Sequence, residues 1–129
     1  MENPWQEFAG PGYELEDLGR PAVFLIPKKK LETPYEGGTV KDRIDAFLIV
    51  DFDAFTVMPL PYLGCWRNGQ QHLVHDECIR YEVSFAGKER IGALVAFLAK
   101  IALAIDEDCL YFKAGEDTCL IRPRRPTEP

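Results

Sequence analysis

The feature that most constrains the fold is a long series of apolar residues at helical spacing in the second half of the chain. It begins after Gly87 and ends near Ile105. Apolar residues that recur every three or four positions predict an amphipathic helix with one buried face. A helix of this kind must pack against another layer. The apolar face comprises Ile91, Leu94, Val95, Leu98, Ile101, Ala102 and Ile105.

The first half of the chain predicts a strand and a second helix. The continuous apolar run 22–26 is typical of a central strand that is covered on both faces. Apolar residues at helical spacing predict a helix over 40–51. Thr39 precedes Asp42 by three residues, which is the spacing of a capping box at the start of that helix.

Between the two helices the sequence predicts a pair of strands. Residues 55–58 form a strand candidate, which Pro59 and Pro61 limit to an edge or a bulged position. Apolar and polar residues alternate towards the end of 71–85, as in a strand with one buried face. Asn68-Gly69 lies between extended segments and predicts a tight hairpin turn.

The predicted order is strand, helix, strand, strand, helix, strand, followed by one more strand from the hairpin 109–121. It indicates an α+β fold, namely a ferredoxin-like βαββαβ two-layer sandwich with an extra C-terminal strand and both helices on one face of the sheet. Another two-layer α+β sandwich with a different strand order is the alternative. We expect an irregular N-terminal arm over 1–20, a single ferredoxin-like domain over 21–122 and a flexible tail over 123–129.

Charge and composition narrow the classes of function. The net charge is −6, and the basic clusters 28–30 and 122–125 are short, so nucleic-acid binding is not expected. No apolar run is long enough to cross a membrane, and the acidic start lacks a secretion signal. We therefore predict a cytoplasmic protein with reduced thiols and no cofactor.

Reactive side chains concentrate between residues 62 and 78. A small-ligand-binding protein or enzyme would have its site at the 62–77 hairpin, with Trp66 as a stacking platform and the two histidines as polar contacts. No catalytic residue is assigned. The ligand candidates are Trp66, Arg67, His72, His75, Asp76 and Glu77.

The cysteines and histidines of this segment suggest two further chemistries. Cys65, His72, His75 and Cys78 are residue types that bind zinc. A two-residue turn would place Cys65 opposite His72 and direct His75 to the other face, so no metal site is expected. In the same register Cys65 and His72 would form a nucleophile–base pair near Arg67, but without an acidic partner.

Asp76 and Glu77 are adjacent, so they are predicted to lie on opposite faces of the strand and not to form a general acid–base pair. Gly37-Gly38 before the first helix lacks the residues of a phosphate-binding loop and is interpreted as a turn.

With both helices on one side, the other face of the sheet would be open. A mixed apolar and charged face favours interaction over catalysis. Our main hypothesis is a non-enzymatic cytoplasmic domain that forms a homo-oligomer or binds another protein through this face. A lid formed by the N-terminal arm is the competing explanation. The predicted open face includes Val23, Leu25, Met58, Cys78, Arg80, Glu82, Cys109 and Tyr111.

One resemblance rests on a loose pattern of residues. Phe55-Thr56, Gly64-Cys65-Trp66, Gly69 and Asp76-Glu77 precede the strand residues 79–85. In this order they resemble small, uncharacterised bacterial and phage ferredoxin-like domains over about half the chain. The resemblance implies the ferredoxin-like fold and carries no activity.

Overall fold

A computed structural model describes residues 3–67 and 69–125, without the side chains of residues 59–61. Short 3-10 turns occupy Gln6–Phe8 and Lys28–Lys30. The strands and helices are β1 (Arg20–Pro27), β2 (Pro34–Tyr35), β3 (Gly38–Thr39), α1 (Val40–Phe52), β4 (Thr56–Arg67), β5 (Leu73–Phe85), α2 (Lys88–Ala104), β6 (Leu110–Ala114) and β7 (Asp117–Ile121).

Five of the strands form one antiparallel sheet in the order β4-β5-β1-β6-β7. The short strands β2 and β3 pair separately as a two-stranded ribbon before α1. The predicted α+β class is confirmed. Strand β4 lies at one edge of the sheet, and its pairing with β5 shifts register between Met58 and Tyr62. The edge position and the irregular pairing were both expected from Pro59 and Pro61, because proline has no backbone N–H to donate a hydrogen bond to a neighbouring strand.

Local chemistry fixes the ends of α1. The Thr39 hydroxyl accepts a hydrogen bond from the Asp42 amide at 3.1 Å, and the Asp42 carboxylate accepts one from the Thr39 amide at 3.2 Å. The predicted capping box is therefore confirmed. The hydrogen bond from the Thr39 amide, followed by the interaction with the Thr39 side chain, lowers the pKa of the Asp42 carboxyl below its ordinary value. The helix ends at Phe52, and Asp53, which follows it, adopts a left-handed conformation.

The core lies between the two helices and one face of the sheet. Phe24 of β1 stacks on Tyr81 of β5 with ring centroids 4.9 Å apart, and Phe47 stacks on Phe97 where α1 meets α2. The fully or almost fully buried members include Ala22, Phe24, Ile26, Val40, Ile44, Leu48, Tyr81, Val83, Leu94, Leu98, Ile101, Ala102 and Ile105. The apolar face predicted for α2 thus packs where the sequence indicated.

The opposite face of the sheet is less open at its centre than its composition suggested. Val23 is only 6% exposed, and its register neighbours are Glu82 on β5 and Lys113 on β6. The alkyl parts of such long side chains can cover an apolar neighbour. The exposed apolar groups lie instead towards the two edges, with Tyr62 and Trp66 on β4. At the other edge, Tyr111 on β6 and Leu120 on β7 are exposed.

The N-terminal segment 3–19 is largely exposed and makes hydrogen bonds within itself, such as that from the Trp5 indole to Asp17 at 3.2 Å. The end of the predicted tail, 126–129, lies outside the described residues. No helix in the described part of the chain is long and apolar enough to cross a membrane.

Candidate functional site

The β4–β5 hairpin extends beyond the end of β1, which creates a free strand edge. The last residue of β1, Pro27, pairs with Cys78, so the segment 73–77 of β5 pairs only with β4 in the described sheet. The 3-10 turn Lys28–Lys30 follows β1 directly and contacts β5 at this edge. Basic side chains are therefore brought beside the start of β5.

A cleft of about 430 Å³ lies at this edge and is lined by Lys28, Lys29, Glu32, Asp76 and Glu77. Asp76 pairs with Gly64 and Glu77 with Leu63, so the two carboxylates lie on opposite faces of β5, as predicted. Both nevertheless line the same cleft, because the cleft lies along the edge of the strand. The lining carries two cations and three carboxylates.

Asp76 is the least exposed carboxylate that forms an ion pair in this region. Its side chain is 16% exposed and lies 3.7 Å from the Lys29 ammonium, whose side chain is 73% exposed. An ion pair with such an exposed partner contributes little stability and is easily exchanged. Asp76 can therefore turn from Lys29 to a cationic ligand that enters the cleft.

Next to Asp76 is an aromatic notch formed by Tyr62, Gly64 and Trp66, which share one face of β4. Both rings are exposed to about two-fifths of their surface. A Cβ atom at Gly64 would meet its nearest atoms at 3.6 to 3.8 Å, which is ordinary van der Waals contact. One of these atoms belongs to the Trp66 ring at 3.7 Å, so a side chain larger than that of alanine would meet this ring.

A buried thiol and a partly buried carboxyl lie behind the cleft. Burial, together with the nearby carboxylates of Asp76 and Glu107, raises the pKa of the Cys78 thiol to about 11. The thiol is therefore protonated at neutral pH and is a poor nucleophile. Burial likewise raises the pKa of Glu107, although Lys30 at 3.8 Å lowers it. Lys30 also donates a 2.6 Å hydrogen bond to the Ile105 carbonyl, which ties the turn to the end of α2.

Replacement of Glu107 by glutamine should make the protein relatively more stable as the pH rises. A pKa raised by folding favours the protonated carboxyl, so ionised Glu107 costs stability above its unfolded pKa of about 4.3. The free energy of unfolding of Glu107→Gln should therefore equal that of wild type near pH 3.5. Its advantage over wild type should then grow as the pH rises from the unfolded-state pKa of Glu107 to the folded-state pKa. Urea unfolding over this range, with Glu116→Gln as a control in an exposed turn, checks it. A gain that shrinks with pH would contradict it.

The structure corrects the register predicted for the hairpin. Cys65 pairs with His75 rather than His72, and its Sγ lies 3.2 Å from the His75 Nδ1. The reason is the connection between β4 and β5, which takes the five residues 68–72 instead of a two-residue turn. Asn68 itself lies outside the described residues. The register in which Cys65 would face His72 is therefore wrong, and with it the nucleophile–base pair considered for these two residues.

The same register separates the predicted metal ligands. Cys65 and His75 share one face of the hairpin, Cys78 lies on the other, and His72 belongs to the connection. Within the described residues no group of three or more histidine, cysteine or carboxylate side chains is placed to hold a metal ion. The four-ligand set is not assembled.

The remaining ligand candidates divide between the two faces. Trp66 and Asp76 lie on the face of the aromatic notch, whereas Arg67, His75 and Glu77 alternate to the other. The prediction from sequence missed Tyr62, Gly64 and the lysines of the cleft. The lysine run directly after the apolar strand was the available signal, but it was considered only in relation to nucleic-acid binding.

Comparisons with known proteins show two solved structures with a similar fold. No family model matches the chain, and no curated protein matches it in sequence. Among solved structures it is similar to a phage SAM lyase in complex with S-methyl-5'-thioadenosine, with a TM-score of 0.54 and 13% identity over 88% of this chain and 96% of that chain. A phage SAM lyase in the apo state gives a TM-score of 0.55 and 14% identity over 89% of this chain and 100% of that chain.

This likeness corrects the main hypothesis from the sequence. A non-enzymatic domain that associates through its open sheet face is the wrong reading, because the similar solved structures are those of an enzyme. The findings favour the alternative, a small-ligand-binding protein or enzyme, and the position of its site at the 62–77 hairpin stays a prediction. Formation of a homo-oligomer stays a prediction.

Proposed function

We propose that this protein is an enzyme that cleaves S-adenosylmethionine and releases S-methyl-5'-thioadenosine. The observation that carries the proposal is the aromatic notch beside Asp76 and the charged cleft, on a fold similar to that of a SAM lyase. The site combines a stacking surface with charges of both signs, and the substrate requires both.

The charges of the cleft complement those of the substrate. S-Adenosylmethionine carries a sulfonium, an ammonium and a carboxylate, and the cleft offers three carboxylates and two lysines. In this proposal Asp76 faces the sulfonium, while Lys28 or Lys29 pairs with the substrate carboxylate. Because Asp76 is mostly buried, its attraction for the sulfonium is less screened than that of a surface carboxylate.

The aromatic notch provides the place for the adenine. Tyr62 and Trp66 are four residues apart on one strand, which places their Cα atoms about 13 Å apart, with Gly64 between them. The Trp66 indole lies against Gly64 and is 42% exposed. An adenine ring can stack on its exposed face, since stacking of a base on an aromatic ring contributes about 1–3 kcal/mol. The sulfonium then lies near Asp76, directly across from Gly64.

Cleavage breaks the bond between the sulfonium sulfur and the amino-acid chain, and the bonding pair moves to sulfur to give a neutral thioether. Without water, the chain must form a new internal bond, either to its own carboxylate oxygen or as a double bond after loss of a proton. The loss of positive charge weakens attraction to Asp76, so the product binds less tightly there than the substrate. The residues of the site thus bind and orient the substrate and release the product.

The proposal includes the ferredoxin-like plan and a cytoplasmic location. In that plan the first and third strands are central and the second and fourth lie outside them. The order β4-β5-β1-β6 supports this, with β7 added beyond β6. The four cysteines are free thiols, which suits a reducing compartment.

Incubation of the purified protein with S-adenosylmethionine should release S-methyl-5'-thioadenosine, measured by liquid chromatography. Gly64→Val should reduce this release about 10-fold or more, because the added methyl groups displace the Trp66 indole that lies against Gly64, while valine suits a strand. Thr118→Val on β7 is the matched control and should keep wild-type release. No release above the spontaneous rate from folded wild-type protein would refute the proposal.

A further inference from the structure

The β4–β5 hairpin carries a second pair of reactive side chains on the face opposite the aromatic notch. Cys65 and His75 pair across the two strands, both are exposed, and Sγ and Nδ1 are 3.2 Å apart. Neither residue lines the cleft. The pair therefore has no role in the function proposed above.

The two atoms are within hydrogen-bond distance, a few tenths of an ångström closer than two ligands on one metal ion. With Zn–S near 2.3 Å and Zn–N near 2.0 Å, tetrahedral coordination places sulfur and nitrogen about 3.5 Å apart. A small rotation of either exposed side chain opens the observed distance to this value. The pairing of β4 with β5 already holds the two residues side by side. Metal binding therefore costs little conformational entropy of the backbone.

We propose that Cys65 and His75 form a two-ligand site for a borderline-soft divalent cation of the zinc class. Thiolate and imidazole are the ligands such ions prefer, and water fills the remaining positions because the pair is exposed. The cysteine proton leaves as the metal–sulfur bond forms, so binding releases one proton. The stoichiometry is one ion per chain.

The charged neighbours on this face are balanced. Glu77 lies two positions beyond His75 on β5, and Arg67 lies two positions beyond Cys65 on β4. One negative and one positive side chain thus flank the pair. Selection of the cation therefore depends on the sulfur and nitrogen ligands rather than on the surrounding field.

Titration of the reduced full chain with Co²⁺ tests the site, because cobalt–thiolate coordination gives a characteristic near-ultraviolet absorption. The absorption should saturate at one equivalent and disappear on addition of Zn²⁺. Cys65→Ser should abolish it, and His75→Ala should weaken Co²⁺ binding about 10-fold or more. Cys119→Ser and His72→Ala are the matched controls, which remove an exposed cysteine and the other histidine and should leave the absorption unchanged.

A second measurement uses only the wild-type chain, so its result does not depend on whether a variant folds. Zn²⁺ should slow alkylation of Cys65 by iodoacetamide, measured by peptide mass spectrometry, and leave alkylation of the exposed Cys119 unchanged. Absence of the cobalt–thiolate absorption, its persistence in Cys65→Ser, or equal alkylation of Cys65 with and without Zn²⁺ would overturn the proposal. Cleavage of S-adenosylmethionine is measured separately, so failure of either proposal leaves the other standing.

Discussion

Asp76→Asn should raise the KM for S-adenosylmethionine about 10- to 100-fold, since the change removes a partly buried charge-assisted contact of about 1.5–3 kcal/mol. Asparagine keeps the size of the side chain and removes only its charge. The sulfonium charge is present in the substrate and disappears as the bond breaks, so the loss should appear in KM rather than in kcat. Steady-state kinetics of product release measure both parameters.

The neutral product provides an internal check on this prediction. S-Methyl-5'-thioadenosine has no sulfonium, so its dissociation constant should change less than about 3-fold in Asp76→Asn. Asp117→Asn, at the start of β7, is the matched control and should alter neither quantity. Equal losses of affinity for substrate and product would contradict the role given to Asp76 and would indicate a general disturbance of the site.

Tyr81→Ala should lower the free energy of unfolding by about 3–5 kcal/mol, the range for loss of a large core aromatic. Tyr81 is fully buried and stacks on Phe24 with an interplanar angle of 4°. The substitution removes this contact and leaves a cavity between β5 and the helices. Urea denaturation followed by circular dichroism measures the change.

Tyr81→Phe should have the opposite effect and raise the free energy of unfolding by about 1–2 kcal/mol. The buried Tyr81 hydroxyl has no hydrogen-bond partner among the described residues, and burial raises its pKa far above the ordinary value. Phenylalanine keeps the ring and removes the unsatisfied group. A loss of more than about 1 kcal/mol in Tyr81→Phe would mean that the hydroxyl is satisfied in solution.

The elements predicted well from sequence are those specified by neighbours along the chain. The apolar spacing of α2 and the capping box of Thr39 and Asp42 act within a few residues, and both are present in the structure. The bulged edge strand followed from proline chemistry at 59 and 61 in the same way. Local signals of this kind do not depend on how the strands are paired.

The site depends on pairing between distant segments, which the sequence does not state. The contact between Lys29 and Asp76 requires β1 to pair with β5 and to end opposite Cys78, leaving the strand edge free. The cross-strand partner of Cys65 depends on the length of the connection between β4 and β5. Because this connection has the five residues 68–72 instead of two, Cys65 pairs with His75 and not with His72. A change in register of this size alters which side chains meet without disturbing the strands themselves.

The most direct test of the central claim uses the two tryptophans of the chain, Trp5 and Trp66. Each indole N–H gives its own signal in the nitrogen–proton correlation spectrum of ¹⁵N-labelled protein, and single Trp→Phe variants assign the two signals. Addition of S-methyl-5'-thioadenosine should shift the Trp66 indole together with amides of 62–66 and 74–78, and leave the Trp5 indole in place. If the Trp66 signal does not move at saturating ligand, or only Trp5 responds, the ligand does not bind at the aromatic notch.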